Sequence, residues 1–419
     1  MSKLRSLSVV CAALMSHAAY AVPDFIDEKT IENAEFSCIN APVKYSTAEQ
    51  KHIDVLWQET LKYLEGYAVA LTSSDSEQCQ SSALAMTETN RPGLTGPTYQ
   101  CIMDNRDMQV MVKHIYAVLN NPDKAKQCFS AKKDSTSLLS PSETMTQGSA
   151  VAQWINRPEM KDYFANLSDK ALNKAGIEFA DNFAEMITGS DIQMPANFPF
   201  DISANALPNL WASVGWAPMY SKEDHRSLIA GESAFRAGYA YAEVMGKWGL
   251  LQIDKINGEE VGAEIGMTVQ RMDSFYPYHF HIAQEIYHTI REPACLNSTK
   301  QLILKENNPA LKVLERTSEY TKLNYNGQDI KDIDHYFVST TTEKDPLIYI
   351  PTNSIHAFDL KEHCEAEPKK SAHVAIWARS VTPNYGGTTL CELQDKSLDK
   401  SNINNKNANV DCKPVKYKF

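Results

Sequence analysis

Between Tyr276 and Tyr287 the chain reads Tyr-Pro-Tyr-His-Phe-His-Ile-Ala-Gln-Glu-Ile-Tyr. His279, His281, Glu285 and Tyr287 all carry odd numbers, and alternate side chains of a β-strand share a face. An unbroken strand would project these four to one side and Phe280, Ile282 and Ile286 to the other. Two imidazoles and a carboxylate on one wall, backed by apolar side chains, form a donor set for one divalent transition metal. Zinc is the expected ion, and iron, manganese or nickel suit the same donors. A fourth ligand is expected from Pro351-Thr-Asn-Ser-Ile-His356. There Pro351 and Asn353 shape a turn, and His356 emerges on the next strand. His288 is out of phase with the set, and His225, His335 and His363 have no matching partners. His373 shares strand parity with Trp377 and Arg379, so it faces either the cavity or the core.

These residues need strands to hold them, and the sequence supplies strands only in its second half. From Ser46 to about Gly189 the apolar period is helical. Ser46 and Glu49 form a capping box ahead of Ile53, Leu56, Trp57, Leu61, Leu64 and Ala68. A second helix carries Met108, Met111, Val112, Ile115 and Leu119, and a third runs from Ser168 to Gly189. Lone His52 and His114 on these helices are expected in surface or core roles. Pro195, Pro199 and Pro208 punctuate a linker-like stretch, and a short helix opens at Ser221. After Phe235 short strands are predicted at 239–244, 264–272, 276–287, 347–351 and 373–379. The expectation is an α+β chain: a mostly helical N-terminal domain (22–220), then a β-barrel or jelly roll (221–419) ending in an Asn-rich tail.

The chain has 419 residues and a formal charge of −11, with no block of five basic residues, so no nucleic-acid partner is expected. Hydrophobic content of 43% with only 22% charged residues excludes disorder for most of it. Lys3 and Arg5, the apolar run Leu7–Met15 and Ala19-Tyr20-Ala21 read as a secretory signal peptide over residues 1–21. Export to the periplasm follows, and no later segment is long enough to be a membrane span. Cleavage removes Cys11 and leaves Cys38, Cys79, Cys101, Cys128, Cys295, Cys364, Cys391 and Cys412, an even set expected to form disulfides. Pairing within each half is expected, with Cys391 and Cys412 closing the tail.

His279-x-His281-x-x-x-Glu285 followed by Pro351-x-Asn353-x-x-His356 resembles the two metal motifs of the cupin superfamily. Asp273, Glu292 and Asp345 stand where glycines are usual, and the gap from Glu285 to His356 is wide. The run Tyr276-Pro277-x-His279-x-His281-x-x-x-Glu285-x-Tyr287 is more similar to the cupin-type dimethylsulfoniopropionate (DMSP) lyases, as are Gly238–Glu243 and Ile376-Trp377. Export, length and the helical first half are similar to their large periplasmic Y-type group. The resemblance implies a cupin-like barrel and β-elimination of DMSP to dimethyl sulfide and acrylate. It further implies a metal on His279, His281, Glu285 and His356, Tyr287 as general base, and Tyr276, Tyr278 and Trp377 around the sulfonium. Tyr276 and Tyr278 are out of phase with the ligands and reach the cavity only if Pro277 bends the strand. Two other readings stand beside it: a cupin dioxygenase, and a periplasmic solute-binding cupin.

Overall fold

The computed structural model describes residues 22–72, 105–131, 170–187, 192, 194, 198–218, 238–272, 274–281, 283–294, 299–304, 311–316, 321–325, 335–340, 347–350, 356–360, 367, 370–380, 389–393 and 409–414. The signal segment, the helix expected at Ser221, the turn at Asn353, and Cys79, Cys101, Cys295 and Cys364 lie outside the described residues.

The helical half folds as its periodicity predicts. Helices run over Glu28–Glu32 (α1), Thr47–Thr72 (α2), Arg106–Asn120 (α3), Pro122–Ala125 (α4), Lys170–Met186 (α5) and Pro208–Ser213 (α6). The capping box forms: the Ser46 N–H donates to Glu49 Oε2 at 2.8 Å, and Glu49 N–H to Ser46 Oγ at 3.4 Å. Helix α2 buries Ile53, Leu56, Trp57, Leu64 and Ala68, and α3 buries Met108, Met111, Val112 and Ile115. The stretch around Pro208 is not a linker. Pro208 opens α6, and Ile202, Leu207, Leu210, Trp211 and Trp216 are fully buried. Proline suits a helix's first turn, where its missing N–H has no intrahelical partner anyway. That is why its presence did not mark a break in the core.

The β half has seventeen strands with those of the N-terminal segment among the described residues. They are Phe36–Cys38 (β1), Ala217–Pro218 (β2), Tyr239–Met245 (β3), Ile253–Ile256 (β4), Glu259–Glu260 (β5), Ala263–Arg271 (β6), Ser274–Phe280 (β7), Glu285–Arg291 (β8) and Thr299–Leu304 (β9). The rest are Leu311–Arg316 (β10), Thr321–Tyr325 (β11), His335–Thr340 (β12), Leu347–Ile350 (β13), His356–Leu360 (β14), Ala372–Ser380 (β15), Thr389–Leu393 (β16) and Asn409–Pro414 (β17). A six-stranded sheet has the order β13-β8-β15-β6-β3-β2, and an eight-stranded sheet the order β10-β11-β17-β16-β7-β14-β9-β12. The α+β expectation and its cupin-like double sheet hold. Their inner faces meet: Tyr239 lies 5.0 Å from Tyr276, and Tyr287 5.1 Å from Phe358, between ring centroids.

The helices cover the outer face of the six-stranded sheet. Tyr63 Oη donates to the Gly266 carbonyl at 2.6 Å, and Arg291 donates to the Met186 carbonyl. His288 packs edge-on against Phe198 and Tyr67, with centroids 5.2 and 6.1 Å away. It belongs to this outer layer, as its phase predicted, and burial pushes its imidazole down to about 3. His114 is a core histidine whose Nδ1 accepts from the Gly262 N–H at 2.7 Å. No helix of the described residues is long and apolar enough to cross a membrane.

A disulfide joins Cys38 to Cys128 across 90 residues, within the N-terminal half. It pins β1 to the turn after α4. In the C-terminal half Cys391 of β16 stands directly opposite Cys412 of β17. Replacing Cys38 and Cys128 together by alanine should lower unfolding stability by about 2–5 kcal/mol, because the loop they close is long. Denaturant titration of the oxidised parent and the double variant reads this difference. A change below about 0.5 kcal/mol would show that the bridge contributes nothing to the folded state.

Candidate metal centre and catalytic pocket

The site lies between the two sheets, and the predicted residues reach it from both. The segment 276–287 is not one strand. β7 belongs to the eight-stranded sheet and β8 to the six-stranded one, and the chain crosses between them after Phe280. His279 therefore projects inward from one sheet, and Glu285 and Tyr287 project inward from the other. The connection between the strands leaves odd-numbered residues facing the pocket in both. His356, on β14, stands opposite His279 on β7, with ring centroids 4.0 Å apart.

One ring nitrogen from each of His279, His281 and His356 lies within 4.8 Å of the others, and all three side chains are buried. His281 Nδ1 lies 2.7 Å from the Ala283 carbonyl. A carbonyl can only accept, so Nδ1 carries the proton and Nε2 presents its lone pair. Glu285 Oε1 lies 3.1 Å from that Nε2. A lone pair facing a carboxylate calls for a cation between them. His281 Nε2 and Glu285 Oε2 are also buried without a hydrogen-bond partner, which is costly unless a cation satisfies them. The residues thus fit a divalent transition metal on three imidazoles, with Glu285 alongside. A carbonyl on the far ring nitrogen is the usual support for a ligating histidine.

Burial pushes the Glu285 carboxyl up, but His281, Arg379 and His356 outweigh it and hold it well below the usual carboxylate range. Arg379 Nη1 donates to Glu285 Oε1 at 3.3 Å, and its Nε pairs with Glu264 on the neighbouring strand. The guanidinium thus ties Glu285 to the sheet. Tyr287 is buried, and burial pushes its phenol well above 10, with Glu285, Tyr239 and Tyr276 adding and Arg379 opposing.

Tyr276 corrects the parity argument. It stacks on His279, with centroids 4.1 Å apart and planes 11° from parallel, and lines the pocket. The cause is a bulge: from Tyr276 to His279 β7 advances three positions, while β14 advances two from His356 to Phe358. The bulged segment contains Pro277, which cannot donate to the ladder. Trp377 lines the pocket as expected. The Tyr278 backbone runs in β7, but its side chain lies outside the described residues. His373 is a core residue whose Nε2 lies 2.9 Å from Thr289 Oγ1.

The sequence reading picked out Gly238–Glu243 and Arg379 but gave no residue of the remaining wall a role in the site. Tyr239, Tyr241 and Glu243 of β3, Trp248, Thr268 and Arg379 also line the pocket. The alternation of Tyr239, Tyr241 and Glu243 with Ala240, Ala242 and Val244 was the available signal.

No family model matches the chain. It is 46% identical over 380 residues to the dimethylsulfoniopropionate lyase DddY of Shewanella woodyi, spanning 89% of this chain and 90% of that protein. Among solved structures, the DMSP lyase DddQ of Ruegeria pomeroyi aligns at 14% identity over 49% of this chain and 74% of its own, with a TM-score of 0.29. A recombinant oxalate oxidase in complex with glycolate aligns at 13% identity over 36% of this chain and 55% of its own, with a TM-score of 0.23.

Proposed function

Because this chain belongs to the family of the dimethylsulfoniopropionate lyase DddY, we propose that its pocket performs a metal-assisted β-elimination of DMSP to dimethyl sulfide and acrylate. The chain is a carbon–sulfur lyase, and the finer assignment concerns which residues do the work. One observation supports it above the rest: Tyr287 lines the same buried pocket as His279, His281 and Glu285, although the strands involved belong to opposite sheets.

His279, His281, His356 and Glu285 would hold one divalent ion, with zinc the reading that suits the nitrogen-rich set best. A bound ion of this kind supplies Lewis acidity, drawing in the substrate carboxylate and easing negative charge at the carbon beside it. Tyr287 Oη takes the α-proton. The C–H electron pair becomes the new C=C bond, the C–S bond breaks, and the thioether leaves as neutral dimethyl sulfide with the bonding pair. Burial, Glu285, Tyr239 and Tyr276 oppose its ionisation and Arg379 favours it. The base form therefore draws on the positive charge that a divalent ion and a sulfonium substrate bring. Tyr276 holds the His279 ring in its plane, and Trp377 offers an indole face to the sulfonium. Tyr278 is retained as a third aromatic contact. The Cys38–Cys128 bridge supports an oxidising compartment, in keeping with a periplasmic location.

Headspace gas analysis of the metal-loaded protein tests the reaction. Dimethyl sulfide and acrylate should appear in equal amounts from DMSP under strict exclusion of oxygen. A requirement for oxygen would point to a dioxygenase, and binding without gas release to a solute-binding protein; either would overturn the proposal.

A further inference from the structure

We propose that Glu243 is the counter-charge for the dimethylsulfonium end of the substrate, so that the pocket selects a cation by charge as well as by aromatic contact. The inference rests on the elimination reading above, and deepens it. Its basis is one rung of the six-stranded sheet. Tyr287 on β8 stands opposite Trp377 on β15, Trp377 opposite Gly266 on β6, and Gly266 opposite Glu243 on β3. Residues directly opposite one another share a face, so proton acceptor, indole and carboxylate lie in one line across the pocket floor.

Two glycines keep that line open. A β-carbon at Gly266 would sit 2.8 Å from Cζ2 of Trp377, so the indole lies over the glycine and reaches toward β3. A β-carbon at Gly246 would sit 2.6 Å from Glu243 Oε2, and this glycine has φ +152, where other residues are strained. The same oxygen accepts from the Trp248 N–H at 2.9 Å. The Glu243 carboxylate is thus seated in a turn shaped to receive it, 2% exposed, and on the pocket wall. The next rung of the same face carries Glu285, Arg379 and Glu264, a guanidinium between two carboxylates.

The substrate's geometry fits this order. Its carboxylate belongs at the histidine end, and Tyr287 must reach the adjacent carbon. The sulfur lies two bonds beyond that carbon, directed away from the histidines, across Trp377 and toward β3. An indole face and a buried carboxylate are what a compact, weakly hydrated cation would meet there.

Two ligands of one shape but different charge test the inference: 3-(trimethylammonio)propionate and 4,4-dimethylpentanoate, titrated by calorimetry into metal-loaded protein. The parent should prefer the ligand with the ammonium head. E243Q should reduce that preference by about 10- to 100-fold, the scale of a buried charge pair. Affinity for 4,4-dimethylpentanoate, whose head group is uncharged, should stay unchanged, as should metal content and thermal midpoint. No preference in the parent, a preference retained in E243Q, equal weakening of both ligands, or loss of metal in E243Q would each overturn it. Neither ligand has to react for the preference to be read. Absence of dimethyl sulfide release strikes the proposed function, whereas a charge preference that survives E243Q strikes only the role of Glu243.

Discussion

His281→Ala should lose both its metal and its turnover. His281 is the member of the three-histidine group whose protonation the structure fixes most directly, through the Ala283 carbonyl on Nδ1. Its ring and those of His279 and His356 each bring a nitrogen within 4.8 Å of the others, and Glu285 Oε1 lies 3.1 Å from its Nε2. Removing only an outer partner of a ligating histidine costs about 10–100-fold in metal affinity or activity. Removing the ligand itself should therefore exceed about 100-fold. Elemental analysis after dialysis reads the metal directly, and a thermal melt of the same samples reports whether the fold survives. The stronger test replaces His281 and His356 together. His281 lies in the connection from β7 to β8 and His356 on β14, and neither replacement touches the capping or disulfide contacts of the helical half. Full metal occupancy in that double variant would remove the three-histidine assignment altogether.

The candidate site was legible in sequence because the connection after Phe280 leaves odd-numbered residues facing the interior on both sides of it. The grouping of His279, His281, Glu285 and Tyr287 on one face holds for an unbroken strand, and the chain instead passes from one sheet to the other after Phe280. The grouping survived because both sheets turn one face to a common interior. Tyr276 broke the pattern because a bulge adds one residue to β7, and a bulge has no period to detect. Pro277 hinted at it by having no N–H to pair. Glu243 and Trp248 lie more than 120 residues before Trp377 and Arg379, and the register that aligns Glu243 with Trp377 through Gly266 is set by strand order, which composition and periodicity do not encode. The helices were the easier half, since an apolar stripe and a capping box are local signals. Pro208 misled because the same residue that ends one element can begin another.

Tyr287→Phe should cut turnover by roughly 10²–10⁴-fold, the range for losing a general base, while fold, metal and substrate binding are kept. The ring is buried and packs edge-on against Phe358 at 5.1 Å, and phenylalanine preserves that contact. The deleted oxygen is the proposed proton acceptor. The imidazoles are engaged otherwise: the proposed metal would occupy the lone pairs of His279, His281 and His356. Glu285 is held by the Arg379 guanidinium, 3.3 Å away, and would sit beside the same ion, which makes it a weak proton acceptor. Tyr276 and Tyr239 are the nearby phenols that could substitute, and Tyr276 is stacked flat on His279. Single-turnover release of dimethyl sulfide, measured with metal content confirmed in each preparation, separates the outcomes. A fall within the stated range, with substrate affinity unchanged, places the proton on Tyr287. Turnover within about tenfold of the parent, below the scale of general-base loss, would remove Tyr287 from the chemistry. Tyr276→Phe and Tyr239→Phe would then be the variants to compare, because their rings also line the pocket.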